Sequence, residues 1–404
     1  MHQDFPFTIR EVAELLGLHI RHKNTVSLDV DCPFCGDRKG KLNLNLKKNV
    51  FKCNRCGESG GMLALYGKIY GLDNQTSCRE IKDALGRNEQ APAYEVKRRE
   101  IKPAAEDEVI TLEQAPDEVK HKTYTMLLNQ LTLTETHKEG LLKRGFTEQQ
   151  IEKNGYKSTP VFGFRSLARR LQEMGCVLEG VPGFYEEESG EWSIHFTAKS
   201  SGFLVPVRNI EGFIVGMQIR LDHPYDGRKY MWLSSVNYNK GTSSGSPTHL
   251  AGEPGAKTVF VTEGPLKGDL SHALSGKTFG CVPGANQYAN LPAFLSEMKE
   301  YGTEFVYEAY DMDKLFKLVC RGDYNEKCRY CPQYQRDWRS TTVLCEKKQI
   351  KRQNIQRGCK KLAGICRELE LPGKSLTWDT DEDGDWAEHV KGVDDYLVSL
   401  KQNK

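Results

Sequence analysis

Two short apolar runs in the C-terminal half of the chain end in carboxylates, and this pairing constrains the fold more than any other feature. KTVFVTEG ends in Glu263-Gly264, and EFVYEAYDMD ends in Asp311-Met312-Asp313. Apolar runs of this length, bounded by glycine or acidic residues, read as buried strands. In an open α/β sheet, ligands bind outside the carboxyl ends of the strands. Three carboxylates gathered there repel one another unless a hard cation neutralises them, and oxygen ligands of this kind suit magnesium or manganese. Asp311 and Asp313, on alternate positions of one strand end, are expected to point to the same side. From residue 256 onward strands and helices alternate, as in a βαβ sheet.

The chain has 404 residues, room for two or three domains at about 150 residues each. A net charge of +2 means that any basic surface is local. Only 38% of residues are hydrophobic, which points to linkers or a large solvated binding surface. No stretch approaches the ~18 apolar residues of a membrane span, and the N-terminus lacks the apolar core of a signal peptide. No membrane partner is expected. The 13 cysteines, an odd number without an export signal, read as thiols and metal ligands in a reducing cytosol, so the expected location is cytoplasmic.

Residues 8–20 predict a short amphipathic helix, and MLALYGKIYG predicts another. The polar, proline-bearing stretch 89–120 has no apolar period and reads as a linker. Beyond it, 127–146 and 164–174 predict helices. FLVPVRN and FIVGMQIRL predict strands joined at Asn209–Gly212. NKGTSSGSP marks a subdomain edge.

Cys32, Cys35, Cys53 and Cys56 form C-x2-C-x17-C-x2-C. Each pair lies on a tight turn, and two such turns aim four thiolates at one point, as tetrahedral zinc requires. KLNLNLKKNVFK between them reads as two ribbon strands. Lys41, Lys47, Lys48 and Lys52 give that ribbon a basic face suited to nucleic acid, although a structural clip with a solvated face has the same composition. A second set, Cys320, Cys328, Cys331 and Cys345, falls within a segment too poor in aliphatic residues to build its own core. Small elements of this kind need a metal or a disulfide to order them, and a second zinc is expected here. Cys78, Cys176, Cys281, Cys359 and Cys366 read as ordinary buried or partly buried residues. The run 347–361 carries seven basic residues and no acidic one. On a helix it makes a cationic face, with Lys351 and Arg352 as candidates for tracking a nucleic-acid backbone.

CPFCG followed by VFKCNRCGESGGMLALY resembles the N-terminal zinc-binding domain of bacterial DnaG-type primases, with Cys35 where that family usually has histidine. LLKRGFTEQQIEKNGY, SGFLVPVRNIEGFIVGMQIRLD and RKYMWLSS resemble the segments that follow in that family. VTEGPLKGD and AYDMDK resemble the two signatures of a topoisomerase–primase (Toprim) domain, in a version most like those of phage and mobile-element primases. The match runs through nearly the whole chain in the family's order. DMDK lacks the glycine that many members have soon after the acidic pair. No helicase-binding helical domain is expected after residue 404, although a replicative helicase is among the partners the resemblance implies.

The implied fold class is multidomain α/β. A zinc ribbon (1–88) and the linker (89–120) precede a mixed α+β subdomain (121–252) and a Toprim βαβ domain (253–404) with a cysteine-rich insertion at about 318–346. The implied activity is DNA-dependent RNA primer synthesis on single-stranded DNA from NTPs, a nucleotidyl transfer assisted by magnesium or manganese. Glu263 is the candidate general base or metal ligand, with Asp311, Asp313 and, by the family's pattern, Asp395 as further ligands. Asp394 is offset from the usual spacing, and 379–385 reads as a solvated turn. Arg220 and Lys229 match basic residues facing the family's active cleft, and Lys267, four residues after Glu263, is within reach of a phosphate. A Toprim nuclease, or a non-catalytic single-stranded-DNA-binding accessory protein, would use many of the same residues.

Overall fold

The computed structural model describes residues 5–86, 112–197, 200–225, 228–337 and 343–402. The chain divides into two units, Met1–Val109 and Ile110–Lys404, with a multidomain α/β architecture. Most of the expected linker lies outside the described residues. Its last residues already belong to the helix Asp117–Asn129.

The first unit is a five-stranded antiparallel meander: Ile20–Lys23, Ser27–Cys32, Asp37–Asn45, Val50–Cys53 and Ser59–Gly61. The two-stranded ribbon expected from sequence is the middle of this larger sheet. Burial alternates along Ser27–Cys32, the period of a half-buried strand. Leu28, Val30, Leu42, Leu44 and Phe51 line the inner face, and Ile9, Val12 and Leu65 from flanking helices cover it. Thr8 and Glu11 form a reciprocal cap that starts the helix Ile9–Leu15, satisfying backbone donors that would otherwise be orphaned.

In the second unit, the antiparallel sheet Arg228–Trp232, Ile214–Tyr225, Gly202–Arg208 and Lys157–Ser158 has its own core of Tyr124, Leu127, Leu171, Leu204, Met217 and Ile219. The helix expected over 127–146 is two helices, Asp117–Asn129 and Glu135–Arg144. Thr134 caps the second, its hydroxyl accepting from His137 N, which restarts the chain in a new direction.

The second sheet orders its strands as His249–Ala251, Thr278–Val282, Thr258–Glu263, Phe305–Glu308 and Gly373–Ser375. The first pairing is antiparallel and the others are parallel. Val259 and Val261 pack on one face with Leu295, Leu362 and Ile365. Phe260 packs on the other with Met312 and Trp378. Burial on both faces explains why these strands read as continuous apolar runs.

Candidate active site and metal centre

Glu263 is the last residue of the central strand Thr258–Glu263. Gly264 follows with φ +82, a backbone conformation that costs glycine little. Pro265 then opens the helix Pro265–Ser275, where its missing N–H is no loss. This turn holds Glu263 at the sheet's carboxyl edge.

Asp311 and Asp313 reach the same edge from the neighbouring strand, but not as strand residues. Phe305–Glu308 ends before them, and Met312–Leu315 is a 3-10 turn. Lys314 pins that turn: its Nζ donates to Glu308 Oε1 at 2.9 Å, to Glu308 Oε2 at 3.0 Å and to Leu376 O at 2.6 Å. The lysine of DMDK is thus a buried anchor. Met312 N donates to Lys391 O at 3.0 Å, which brings the segment before the last helix against both aspartates.

Cations surround the carboxylates. Lys267 Nζ donates to Asp311 Oδ1. Lys391 Nζ lies 2.8 Å from Asp313 Oδ2 and 3.3 Å from Asp311 Oδ2. Lys351 Nζ is 3.0 Å from Asp313 Oδ2. Burial works against ionisation of Asp311, yet Lys267 and Lys391 hold it below the usual carboxylate range. Burial, reinforced by the charge of Asp311, pushes Glu263 up to about 7.

Of the adjacent pair Asp394 is the buried one, and Asp395 Oδ2 also borders the space at Gly392. Asp394 is buried and takes a 2.7 Å hydrogen bond from Arg144 Nη2, while Asp395 is exposed and accepts from Gly392 N at 3.3 Å. Both lie in the first turn of the helix Val393–Gln402, and helical geometry sends adjacent side chains in different directions. Burial pushes Asp394 up despite Lys267 and Arg144.

The chemistry of this donor set suits a divalent cation, while among the described residues no three of these carboxylates bring oxygens within 4.8 Å of one another. Glu263 Oε1 and Asp394 Oδ1 are buried acceptors without a hydrogen-bond partner, a costly state that a cation relieves. A Cβ at Gly392 would stand 2.4 Å from Asp394 Oδ1 and 3.3 Å from Lys267 Cε. Glycine therefore keeps the space between these two side chains open.

Of the other expected residues, Arg220 lies on the antiparallel sheet with its guanidinium 4.9 Å from the Tyr230 ring centre, and Lys229 is exposed on the adjacent strand. Lys351 and Arg352 do not lie on an outward cationic face. Lys351 meets Asp313, and Arg352 donates to Phe316 O at 2.9 Å. The basic run forms part of the helix Glu346–Glu368, and its inner face brings positive charge to the aspartates. Lys348 is buried there beside Asp323. The sequence reading missed Arg144 and Lys391. Arg144 reads as an ordinary cation in the last turn of a helix, and Lys391 precedes a helix without an apolar strand to mark it.

In the first unit Cys32, Cys35, Cys53 and Cys56 converge, with their sulfurs all within 4.8 Å of one another. Cys32 Sγ and Cys56 Sγ are 3.8 Å apart, and Cys35 Sγ and Cys53 Sγ 3.9 Å. A tetrahedron with metal–sulfur bonds of ~2.3 Å has edges of about 3.8 Å. Arg55 N and Cys56 N donate to Cys53 Sγ at 3.4 Å. The buried carboxylate of Asp37 accepts from Lys39 N at 2.9 Å and Lys41 N at 3.0 Å, fixing the hairpin next to the thiols. Lys47, Lys48 and Lys52 are exposed and Lys41 is half-buried.

The second cysteine set is not gathered to the same degree. Among the described residues, the first set alone forms a group of three or more metal-ligating atoms within 4.8 Å. Cys320 and Cys345 flank the antiparallel bridge Val319–Leu344, and Asn325 N donates to Cys328 Sγ at 3.4 Å. Cys320, Cys328 and Cys345 are buried.

No protein-family profile matches the chain. A DNA primase of Lactococcus lactis subsp. lactis is 20% identical over 239 residues, covering 55% of this chain and 33% of that protein. The match thus spans about a third of the curated relative's length. Among solved structures, the zinc-binding and RNA polymerase domains of the Aquifex aeolicus primase align over 98% of this chain and 81% of that one, at 14% identity and a TM-score of 0.44. The RNA polymerase domain of Mycobacterium tuberculosis primase DnaG with double-stranded DNA aligns over 48% of this chain and 64% of that one, at 18% identity and a TM-score of 0.37. The chain is similar to DnaG-type primases. No described helix is long and apolar enough to cross a membrane.

Proposed function

We propose that this chain is a DNA-dependent RNA primase that makes short primers on single-stranded DNA, serving a phage or mobile element, with a Toprim-type catalytic unit. One observation carries the reading: Glu263, Asp311, Asp313 and Asp394 converge at the carboxyl edge of a mainly parallel sheet, where two buried carboxylate oxygens lack partners. The four-thiol ribbon with its basic hairpin and the similarity to the Lactococcus primase support it.

In the proposed reaction a 3′-hydroxyl attacks the α-phosphorus of an incoming NTP. The new O–P bond forms as the bond to pyrophosphate breaks. Glu263, Asp311, Asp313 and Asp394 would hold a magnesium or manganese ion, which would supply charge neutralisation for the attacking and leaving oxygens. Glu263 would alternatively stay free of the ion and accept the hydroxyl proton as general base. Lys351 and Lys391, at the rim, neutralise the triphosphate. Arg220 and Lys229 meet template or nucleotide from the antiparallel sheet. Zinc is the metal proposed for the ribbon, whose Lys41, Lys47, Lys48 and Lys52 hold template phosphates. A second zinc is proposed for Cys320, Cys328, Cys331 and Cys345, drawing the four thiols together as it binds.

Incubating the full chain with single-stranded DNA, the four NTPs and manganese tests this directly. Short RNA products are expected. Cut template would identify a nuclease, and binding without either product would identify a non-catalytic accessory protein.

A further inference from the structure

The four lysines near the carboxylates are not equivalent. Lys314 is a structural anchor to Glu308. Lys351 and Lys391 reach in from the rim, with side chains 36% and 41% exposed. Such side chains can swing into solvent when another cation takes their place. Lys267 is held differently. Its side chain is 15% exposed, it grows from the first turn of the helix Pro265–Ser275, and its Cε borders the space kept open at Gly392. Asp311 is its direct partner, and Asp394 and Glu263 both act on its charge. Lys267 is the least exposed of the three lysines that touch the aspartates.

Charge counting makes this consequential. Glu263, Asp311, Asp313 and Asp394 carry four negative charges when ionised. Lys267, and Arg144 with its Nε buried and its Nη2 bonded to the buried Asp394, are the cations counted as resident, so four negative charges less two leave two. One divalent ion balances that remainder. A second would leave the free site with two excess positive charges at short range, which a low-dielectric pocket resists.

We propose that Lys267 permanently replaces one divalent cation, so that the site binds a single catalytic metal ion per chain, with the Lys267 ammonium serving the Asp311–Asp394 side. This rests on the carboxylate cluster being the catalytic cation site. It adds that a side chain four residues after Glu263 fixes the metal stoichiometry.

The test is manganese binding to the full-length, zinc-loaded protein, counted from loss of the free-manganese electron paramagnetic resonance signal without nucleotide or DNA. The wild-type chain should bind one manganese. Lys267→Met, which removes the charge but keeps the length, should bind two, and Lys267→Arg should return the count to one. Retained zinc and an unchanged circular dichroism spectrum identify folded variants, and Lys267→Gln replaces the Met variant if that one does not fold. Two manganese ions on the wild type would overturn the inference, as would one ion on every neutral variant. Wild-type protein that binds no manganese at millimolar concentration would overturn the cation site itself, and with it the catalytic reading.

Discussion

Arg144 and Asp394 are hydrogen-bonded at 2.7 Å across 250 residues of sequence, and this bond ties the helix Glu135–Arg144 to the last helix of the chain. Burial opposes the Arg144 charge, but Asp394 nearby holds the guanidinium above its ordinary value. Removing one partner strands the other. Arg144→Met should destabilise the protein by about 2 kcal/mol, below the range for a fully buried pair because the arginine is partly exposed. Adding Asp394→Asn should recover part of that loss. A denaturant double-mutant cycle checks it, and purely additive effects would remove the coupling.

Glu263→Gln and Asp311→Asn should each lower primer synthesis by at least a hundredfold. Each change removes a negative charge from the cation site with little change in volume. Zinc content and binding to single-stranded DNA should stay within twofold of wild type. Wild-type synthesis rates in either variant would move the active site elsewhere.

The pKa of Glu263 yields a stability prediction with a definite sign. Its value of about 7 in the folded protein lies above the ordinary 4.5, so folding favours the protonated form. The associated stability is fully present below pH 4.5 and is lost as pH rises through 7. Without added divalent cation, Glu263→Gln should therefore be more stable than wild type at pH 8, on the order of 1–3 kcal/mol. The difference should vanish near pH 4.5. Thermal melts across this range check it, and a pH-independent difference between the two proteins would contradict the assignment. Added manganese should raise the wild-type midpoint at pH 8 more than that of the variant.

The sheet edge was legible in sequence because a strand buried on both faces must be apolar throughout, and a carboxylate ending such a run stands out. Glu263 and the Asp311–Asp313 pair were found that way. Their cations were less visible. Lys391 and Arg144 sit in segments that read as ordinary polar helix ends, and only tertiary packing turns them inward. Lys351 and Arg352 show the same limit in reverse. A basic run on a helix looks like a solvated face until a buried aspartate is found opposite it. The choice between Asp394 and Asp395 turned on helix phase, which depends on where the helix Val393–Gln402 begins. The ribbon thiols were legible because a C-x2-C pair on a tight turn has few other uses.

Metal analysis of the folded protein should find two zinc ions per chain, one for each four-cysteine set. Cys53→Ser should remove the ribbon ion and unfold the first unit, because Cys53 lies in that unit's core. Cys328→Ser should remove the other ion and leave the ribbon ion in place. A single zinc in the wild type, unchanged by Cys328→Ser, would leave the second set as free thiols.

The last prediction separates template capture from chemistry. The ribbon unit and the carboxylate site belong to different units of the chain, and each has its own core. On the proposed function, tethering would give the ribbon a high effective concentration beside template held by the catalytic unit. Initiation must hold a template and two nucleotides without a duplex to grip, so it depends most on that added affinity. Deleting residues 1–88 should reduce initiation on single-stranded DNA at least tenfold. The same deletion should leave extension of a pre-annealed primer within a few-fold of wild type, because Glu263, Asp311, Asp313 and Asp394 remain. The ribbon lysines would act through phosphates, so initiation by the full chain should fall steeply as salt rises. Extension by the truncated chain should fall less. Equal initiation by the two proteins would make the ribbon a structural appendage, and an equal loss of extension would show that it acts on the duplex as well.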